Sequence, residues 1–421
     1  MQWSPEQDRA LTTVGQWLDE SDQQVFRLFG YAGTGKTTLA THLAQDVQSG
    51  VAYMAYTGKA AYVMRQKDCT GATTIHSAIY HSKEKSKHIL KALEAELAEL
   101  MHEISCDAKS QDIETVDIGR YIDIDPGVKN LREKIRAERA SVAKPSFNLN
   151  PESIVKDVGL VVVDECSMVD GRVGEDLLSF GTKVLVLGDP AQLPPVKGTG
   201  FFTADAEPDI MLTEIHRQAR DNPIIAMATR VREGDKLERG TYGQSRVIDQ
   251  RELVQEDALN ANQILVGRNR TRHAYNRRLR QLLGRGESPL PTTGDRLVCL
   301  RNNHDLGLLN GGIWYTDTSL EGGDADKIDL SLHAEDNPDQ LLDVEAHTHY
   351  FLGREESLGW WERKEAEEFD YGYALTVHKA QGSQWGNVLL LDESYCFRQD
   401  AWRWLYTGLT RAAERVTVAL T

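Results

Sequence analysis

The chain is poor in several things, and each shortage removes a class of protein. It has five cysteines in 421 residues, scattered at Cys69, Cys106, Cys166, Cys299 and Cys396. No C-x-x-C pair occurs, which argues against a structural zinc site and for a reducing compartment. No apolar run approaches the ~18 residues that would span a bilayer. The opening Met1-Gln2-Trp3-Ser4-Pro5-Glu6-Gln7 lacks the charged-then-apolar order of a secretory signal. The expectation is a soluble, cytoplasmic protein with no membrane partner. Positive charge is also short: the formal net charge is −16. A nucleic-acid binder is usually basic, so any groove for one must be argued locally. There is no low-complexity tract and no short repeat. The length suits two to four domains with an ample core.

What the chain does have is a phosphate loop. Gly30-Tyr31-Ala32-Gly33-Thr34-Gly35-Lys36-Thr37 fits G-x-x-x-x-G-K-[ST]. The apolar run Val25–Phe29 before it reads as a buried strand, and Thr37–Ala44 after it reads as a helix. Gly30, Gly33 and Gly35 let backbone N–H groups turn inward on an anion. The helix N-terminus adds its positive dipole end at Thr37 and Thr38. Lys36 would reach the terminal phosphates, and the Thr37 hydroxyl would hold Mg²⁺.

The surrounding pattern is α/β. Pro5 to Glu20 predicts a helix, Val51–Ala55 a strand, and Thr57–Ala61 the start of another helix. Val158–Val163 and Lys183–Asp189 are runs suited to strands buried on both faces. Between them and residue 76 lies a charged block, with helical periods at 83–103 and 128–143. Residues 115–124 alternate around Gly119 and suggest a short hairpin. From about 204 a second α/β unit begins, with strands near Gln263–Val266, Tyr373–Val377, Asn387–Leu391 and Arg415–Ala419. Residues 291–365 interrupt it with short β-like runs, so a small β-barrel insert is expected. The fold class is therefore α/β, with two parallel-sheet cores and two inserts. The expected boundaries are 1–76 with 156–203 for the first core and 77–155 for its insert. The second core takes 204–290 with 366–421, and its insert 291–365.

Candidate chemistry sits at strand ends, where ligands of open α/β sheets bind. Asp164 would hold Mg²⁺ as the partner of Thr37, and Glu165 would orient and deprotonate a water. A D-E pair on a surface is common, but here it closes a buried apolar strand. Gln192 is placed to sense a terminal phosphate, unless Gly188–Pro195 is simply a proline-rich turn. Arg217 and Arg411 are each ordinary surface charges or, if the second core faces the first, arginine fingers. Thr376, His378 and Lys379 on the second core, and Thr57, Lys59, Thr74 and His76 on the first, are donors suited to sugar-phosphate contacts. The run from Arg268 to Arg280 is the most basic segment. It reads either as a phosphate-tracking surface or as a solvated helix face.

Taken together these motifs resemble those of superfamily 1 helicases, and within them the RecD/Dda group that moves 5′ to 3′. Asp164-Glu165-Cys166-Ser167-Met168, Gly188-Asp189-Pro190-Ala191-Gln192-Leu193-Pro194-Pro195 and Val377-His378-Lys379-Ala380-Gln381-Gly382-Ser383 carry the resemblance. It covers the chain apart from the inserts, at a length similar to the compact phage Dda-type enzymes. It implies two RecA-like domains with Mg-ATP in the cleft between them and single-stranded DNA across both. Gln7 matches the adenine-reading position. Lys36, Thr37, Asp164, Glu165, Gln192, Arg217 and Arg411 match the ATPase set. Thr57, Lys59, His76, Thr376 and His378 match DNA-contacting motifs. The insert at 291–365 matches an SH3-like subdomain. Duplex junctions, and single-strand-binding or replication proteins, follow as partners. A monomer suffices, in a bacterial or phage-infected cell, with replication, recombination or repair as the setting.

Two departures stand out. The first DNA motif has Ala55-Tyr56-Thr57 where the family has Ala-Pro-Thr. The insert at 77–155 is longer and more helical than the short hairpin pin of the group. Tyr121 there reads as a packing aromatic or as the pin that splits the duplex. Against the helicase reading stand a one-core kinase or GTPase, and a DNA-binding mediator that uses ATP only as a switch. Paired motifs on two cores speak against the first, and Glu165 with two arginines against the second.

Overall fold

The structure is a computed structural model. It describes residues 3–81, 93, 96–102, 104–105, 125–143, 148–194, 200–203, 207–214, 221–303, 306–321, 326–359 and 361–421. Residues Met1–Ile79 with Glu152–Thr421 form one compact unit, and Tyr80–Pro151 form another.

The larger unit opens with α1 (Pro5–Glu20). Its start is a capping box: Ser4 accepts from the Gln7 N–H, Gln7 accepts in return, and Pro5 fills the first turn. Ala10, Val14 and Trp17 bury one face at helical spacing. Then come β1 (Val25–Gly30), α2 (Lys36–Ala44), β2 (Val51–Ala55), α3 (Gly58–Arg65), β3 (Thr73–Thr74) and α4 (Ile75–Ile79). The smaller unit contains the paired strands β4 (Tyr80–His81) and β5 (Asn148–Leu149), and α5 (Pro126–Ala143). Val128, Leu131 and Ile135 form its buried stripe. Residues 96–102 are helical as well. The expected hairpin at 115–124, and Tyr121 with it, lies outside the described residues.

The first core resumes with β6 (Leu160–Asp164), α6 (Gly171–Leu178), β7 (Lys183–Gly188) and β8 (Ile210–Leu212). Its six strands run β3-β2-β6-β7-β1-β8, all parallel. Leu160 to Val163 are wholly buried, as a strand covered on both faces must be. The three-residue strand β8 pairs with β1, although the second core was expected to begin at 204. Three apolar residues carry no period that would assign them to a sheet.

The second core contains α7 (Pro223–Arg232), β9 (Gly240–Tyr242), β10 (Ser245–Asp249), β11 (Gln263–Val266) and α8 (Asn269–Leu282). The inserted sheet follows: β12 (Arg296–Cys299), β13 (Ile313–Glu321), β14 (Lys327–Ala334), β15 (Leu341–His347) and β16 (Phe369–Tyr371). The core closes with β17 (Ala374–Thr376), β18 (Trp385–Leu391), α9 (Ala401–Leu409) and β19 (Ala412–Leu420). Its order is β17-β11-β18-β19-β10-β9, parallel except for the edge hairpin β9–β10.

The insert is antiparallel, in the order β15-β14-β13-β12-β16. Its edges meet: the Glu367 N–H donates to Glu345 O at 2.8 Å, and the His347 N–H to Glu367 O at 3.0 Å. The sheet thus curls into a small barrel, with Ile328, Leu330, Leu332 and Ala334 alternating into its interior. The fifth strand, Phe369–Tyr371, lies past the expected end at 365, because it pairs with β12 before the chain turns into the core.

Two arginines of the basic run in α8 prove internal. Arg272 is buried against Asp370, and Arg280 is buried with Asp295 at 2.9 Å. Arg270, Arg277 and Arg278 remain exposed. Among the described residues, no helix is long and apolar enough to cross a membrane.

Candidate nucleotide site and nucleic-acid interface

Five residues separate β1 from α2, and they form the expected loop. Gly33 and Gly35 stand at φ 80° and 79°, a backbone conformation that favours glycine. A Cβ at Gly30 would come within 2.6 Å of Thr34 Oγ1 and 2.8 Å of Leu212 Cβ, so only glycine fits there. Lys36 Nζ donates to Gly30 O at 2.7 Å and Tyr31 O at 3.1 Å, folding back over the hollow of the loop. Gln7 is buried and donates to Thr34 O at 3.0 Å, which ties α1 to the loop. Thr37 Oγ1 donates to Asp164 Oδ2 at 2.8 Å. One hydroxyl and one carboxylate, both hard oxygens, suit Mg²⁺.

These groups line a cavity of about 500 Å³. Thr38, Gln192 and Arg411 share its wall with Gly33, Gly35, Lys36, Thr37, Asp164 and Glu165. Glu165 sits in the left-handed region at φ 52°, aimed off the end of β6. Burial pushes its carboxyl up, and the guanidinium of Arg411, 4.0 Å away, opposes that rise. The Gln192 side-chain carbonyl is buried with no hydrogen-bond partner among the described residues. A buried orphan lining a cavity is a group waiting for a ligand.

The second core supplies the other wall through α9. Arg411 is held by Thr407 O at 3.2 Å and Ser383 O at 3.3 Å, so its position is set before any ligand arrives. Tyr406 reaches further. Its hydroxyl accepts from the Ala32 N–H of the phosphate loop at 3.0 Å and donates to Asp189 Oδ2 at 2.7 Å. Burial raises both the Asp189 carboxyl and the Tyr406 phenol. Leu193 is gripped twice: its N–H donates to Thr407 Oγ1 at 3.0 Å, and its carbonyl accepts from Gln381 Nε2 at 2.9 Å. The Leu193 side chain packs into the core of the second domain. Arg232 of α7 lies over the Tyr31 ring at 3.5 Å.

Tyr406, Asp189, Leu193 and Arg232 were not singled out from the sequence. Asp189 and Leu193 stand inside the Gly188–Pro195 motif, but nothing in the order of residues says that one hydroxyl bridges two walls. Arg217 lies outside the described residues. The segment leading towards it is fixed by Glu6, which accepts from Thr213 N at 2.7 Å, Glu214 N at 2.8 Å and Thr213 Oγ1 at 2.6 Å.

The candidate DNA residues gather at the carboxyl ends of both sheets. Thr57 caps α3, accepting from the Ala60 N–H at 3.2 Å. Lys59 forms an ion pair with Asp336 of the inserted barrel. Thr74 is buried, its hydroxyl shared with Ser77 at 2.8 Å, so it works as a local cap. His76 packs edge-on against Tyr56 at 5.8 Å, and burial lowers its imidazole. Tyr56, the residue that departs from the family pattern, thus fills the space beside a family contact residue. Thr376 is buried and accepts from the Lys379 N–H at 3.4 Å, and Lys379 is exposed. His378 lies 5.4 Å from Phe397, its imidazole likewise lowered by burial. Gly382 presses on α3: a Cβ there would meet Ala60 Cβ at 2.9 Å and Thr57 Oγ1 at 3.1 Å. The two sets of loops are therefore in direct contact.

Residues 2–252, more than half of the chain, match the AAA domain family, and residues 371–419 match the UvrD-like helicase C-terminal domain. The chain belongs to the AAA domain family. It is 30% identical over 283 residues to the ATP-dependent RecD2 DNA helicase of Deinococcus radiodurans. The match takes in 61% of this chain but only 35% of that protein, so the chain spans about a third of its curated relative. Among solved structures, the Pif1 helicase of Candida albicans aligns with a TM-score of 0.52 at 17% identity, over 100% of this chain and 94% of that one. A Bacteroides Pif1 solved with ADP-AlF3 and single-stranded DNA aligns with a TM-score of 0.52 at 16% identity, over 99% and 92%. These likenesses establish the shared fold of two RecA-like domains.

Proposed function

We propose that the chain is an ATP-driven DNA helicase that moves 5′ to 3′ along a single strand and opens duplex ahead of it. The observation that carries this is the two-walled cavity. Arg411 of one core stands 4.0 Å from Glu165 of the other, beside the Gln192 carbonyl that has no partner among the described residues. Residues able to activate water, sense a phosphate and stabilise its charge thus converge from both cores.

In this reading Thr37 and Asp164 hold Mg²⁺, which would neutralise phosphate charge. Lys36 leaves the Gly30 and Tyr31 carbonyls for the terminal phosphates. Glu165 accepts a proton from the attacking water. Gln192 orients that water or the phosphate, and Arg411 meets the charge that develops on the transferring group. Arg217 is proposed as a second finger on the strength of the family motif. The contacts of Tyr406, Leu193 and Arg232 carry the change in the cavity to the second core. Thr57, Lys59, His76, His378 and Lys379 then alternate their hold on the strand, and the barrel at 296–371 acts as the SH3-like subdomain of the group.

The test is the ATPase rate with and without single-stranded DNA, with Lys36→Ala as control. Single strands should raise the wild-type rate at least ~10-fold, an effect of the size that assembly of a finger can supply. Lys36→Ala should hydrolyse nothing above background. An unstimulated wild-type rate would remove the helicase reading and favour a nucleotide switch.

A further inference from the structure

Beyond β18 the chain makes an exposed loop, Glu393-Ser394-Tyr395-Cys396-Phe397-Arg398, that none of the sequence motifs covers. It leaves the second sheet at the carboxyl end, on the edge where the loop after β17 places His378. Tyr395 is 56% exposed, among the largest such values for a bulky side chain in the described residues. Exposure of that kind usually marks a slack loop, but this loop is fastened. Glu393 is 3% exposed and accepts four hydrogen bonds. The donors are Gly267 N at 2.8 Å, Arg268 N at 3.0 Å, Arg268 Nε at 2.7 Å and Thr271 Oγ1 at 2.7 Å. Burial alone would raise this carboxyl, yet the bonds from Thr271 and Arg268 hold it below the ordinary range.

Two further features fix the loop. A Cβ on Gly267 would come within 2.8 Å of Glu393 Cβ and 3.1 Å of the Phe397 ring, so the β11–α8 turn lies flush against it. Arg398 holds φ 48° and ψ −111°, a strained backbone that persists only where its surroundings impose it. Phe397 is stacked on buried Trp404 at 5.5 Å with 12° between the rings, and its centroid lies 5.4 Å from His378. Tyr395 is the aromatic left outside this stack. The half-exposed guanidinium of Arg268 stands 5.8 Å from its centroid.

A rigid, solvent-facing aromatic with a cation beside it, next to a donor-rich loop, has the chemistry of a single-strand platform. Every nucleobase offers a π-face to such a ring, and the flanking phosphate offers a charge to the arginine. We propose that Tyr395 stacks on one unpaired base of the bound strand, with Arg268 contacting the adjoining phosphate. The inference rests on the proposed single-strand track and adds a base contact to its sugar-phosphate contacts. Glu393 acts as a positioning residue that holds ring and cation in register.

The experiment measures binding of a labelled oligodeoxythymidylate by anisotropy, beside a strand of equal length carrying an abasic run. Wild type should prefer the intact strand. Tyr395→Ala should bind it about 5- to 100-fold more weakly and lose most of that preference. Tyr395→Phe should keep wild-type affinity. Tyr395→Trp should show fluorescence quenching when the strand is added, which keeps the test decisive if the alanine variant folds poorly. Tyr395→Ala binding with the wild-type preference for bases, or no quenching of the tryptophan, overturns the platform alone. A wild-type protein that binds neither strand overturns the platform and the proposed function together.

Discussion

The hydroxyl of Tyr406 joins the two walls of the cavity, donating to Asp189 and accepting from Ala32. Asp189 is buried and also accepts from the Ala191 N–H at 3.0 Å. Removing the hydroxyl leaves a buried carboxylate and a loop N–H each short of a partner, which costs about 1–3 kcal/mol. Tyr406→Phe should therefore lower the urea midpoint of the nucleotide-free protein and slow DNA-stimulated hydrolysis. An unchanged midpoint would show that water replaces the hydroxyl at no cost. The phosphate loop itself was legible residue by residue, because a cradle of N–H groups leaves few choices of residue type. Tyr406 was not, since a tyrosine on an apolar helix face reads as core until the opposing wall is in place.

Among elements, the contact of α3 with the barrel has the plainest consequence. The N-terminus of α3 carries Thr57 and Lys59, and the barrel covers it: a Cβ on Gly58 would strike Leu309 at 2.9 Å. Asp336, on the turn between β14 and β15, neutralises Lys59. A strand that uses Lys59 must first displace that carboxylate. Asp336→Asn should then tighten single-strand binding several-fold and steepen its salt dependence by up to ~0.7 in the log–log slope, one counterion's share. Equal affinity and slope would take Lys59 out of the interface. The start of the helix and the β character of the insert were legible in the sequence, and their meeting was not. The same holds for α8, where Arg280 and Arg272 of a basic run proved to be paired with Asp295, just before the insert's first strand, and with Asp370 in its last.

At the scale of the whole molecule, direction of travel depends on the order in which two grips on the strand tighten and release. No single residue sets it. The family resemblance points to 5′-to-3′ movement, so a duplex with a 5′ single-stranded tail should be unwound and one with only a 3′ tail should not. Preference for the 3′ tail, read in a strand-displacement assay, would place the chain in the opposite class while leaving the ATPase assignment intact.

The sequence by itself determined the two parallel cores, the inserted blocks and the phosphate-binding chemistry. Buried strands need unbroken apolar runs, and an anion cradle needs glycines and a lysine at fixed spacing. Only the tertiary structure decided that Arg411 faces Glu165, that Tyr406 bridges the cleft and that Asp336 covers Lys59. Each of these joins residues more than 200 apart in the chain, and no local pattern encodes so distant a partner. The boundary strands Ile210–Leu212 and Phe369–Tyr371 belong with these, because a three-residue strand is defined by what it pairs with.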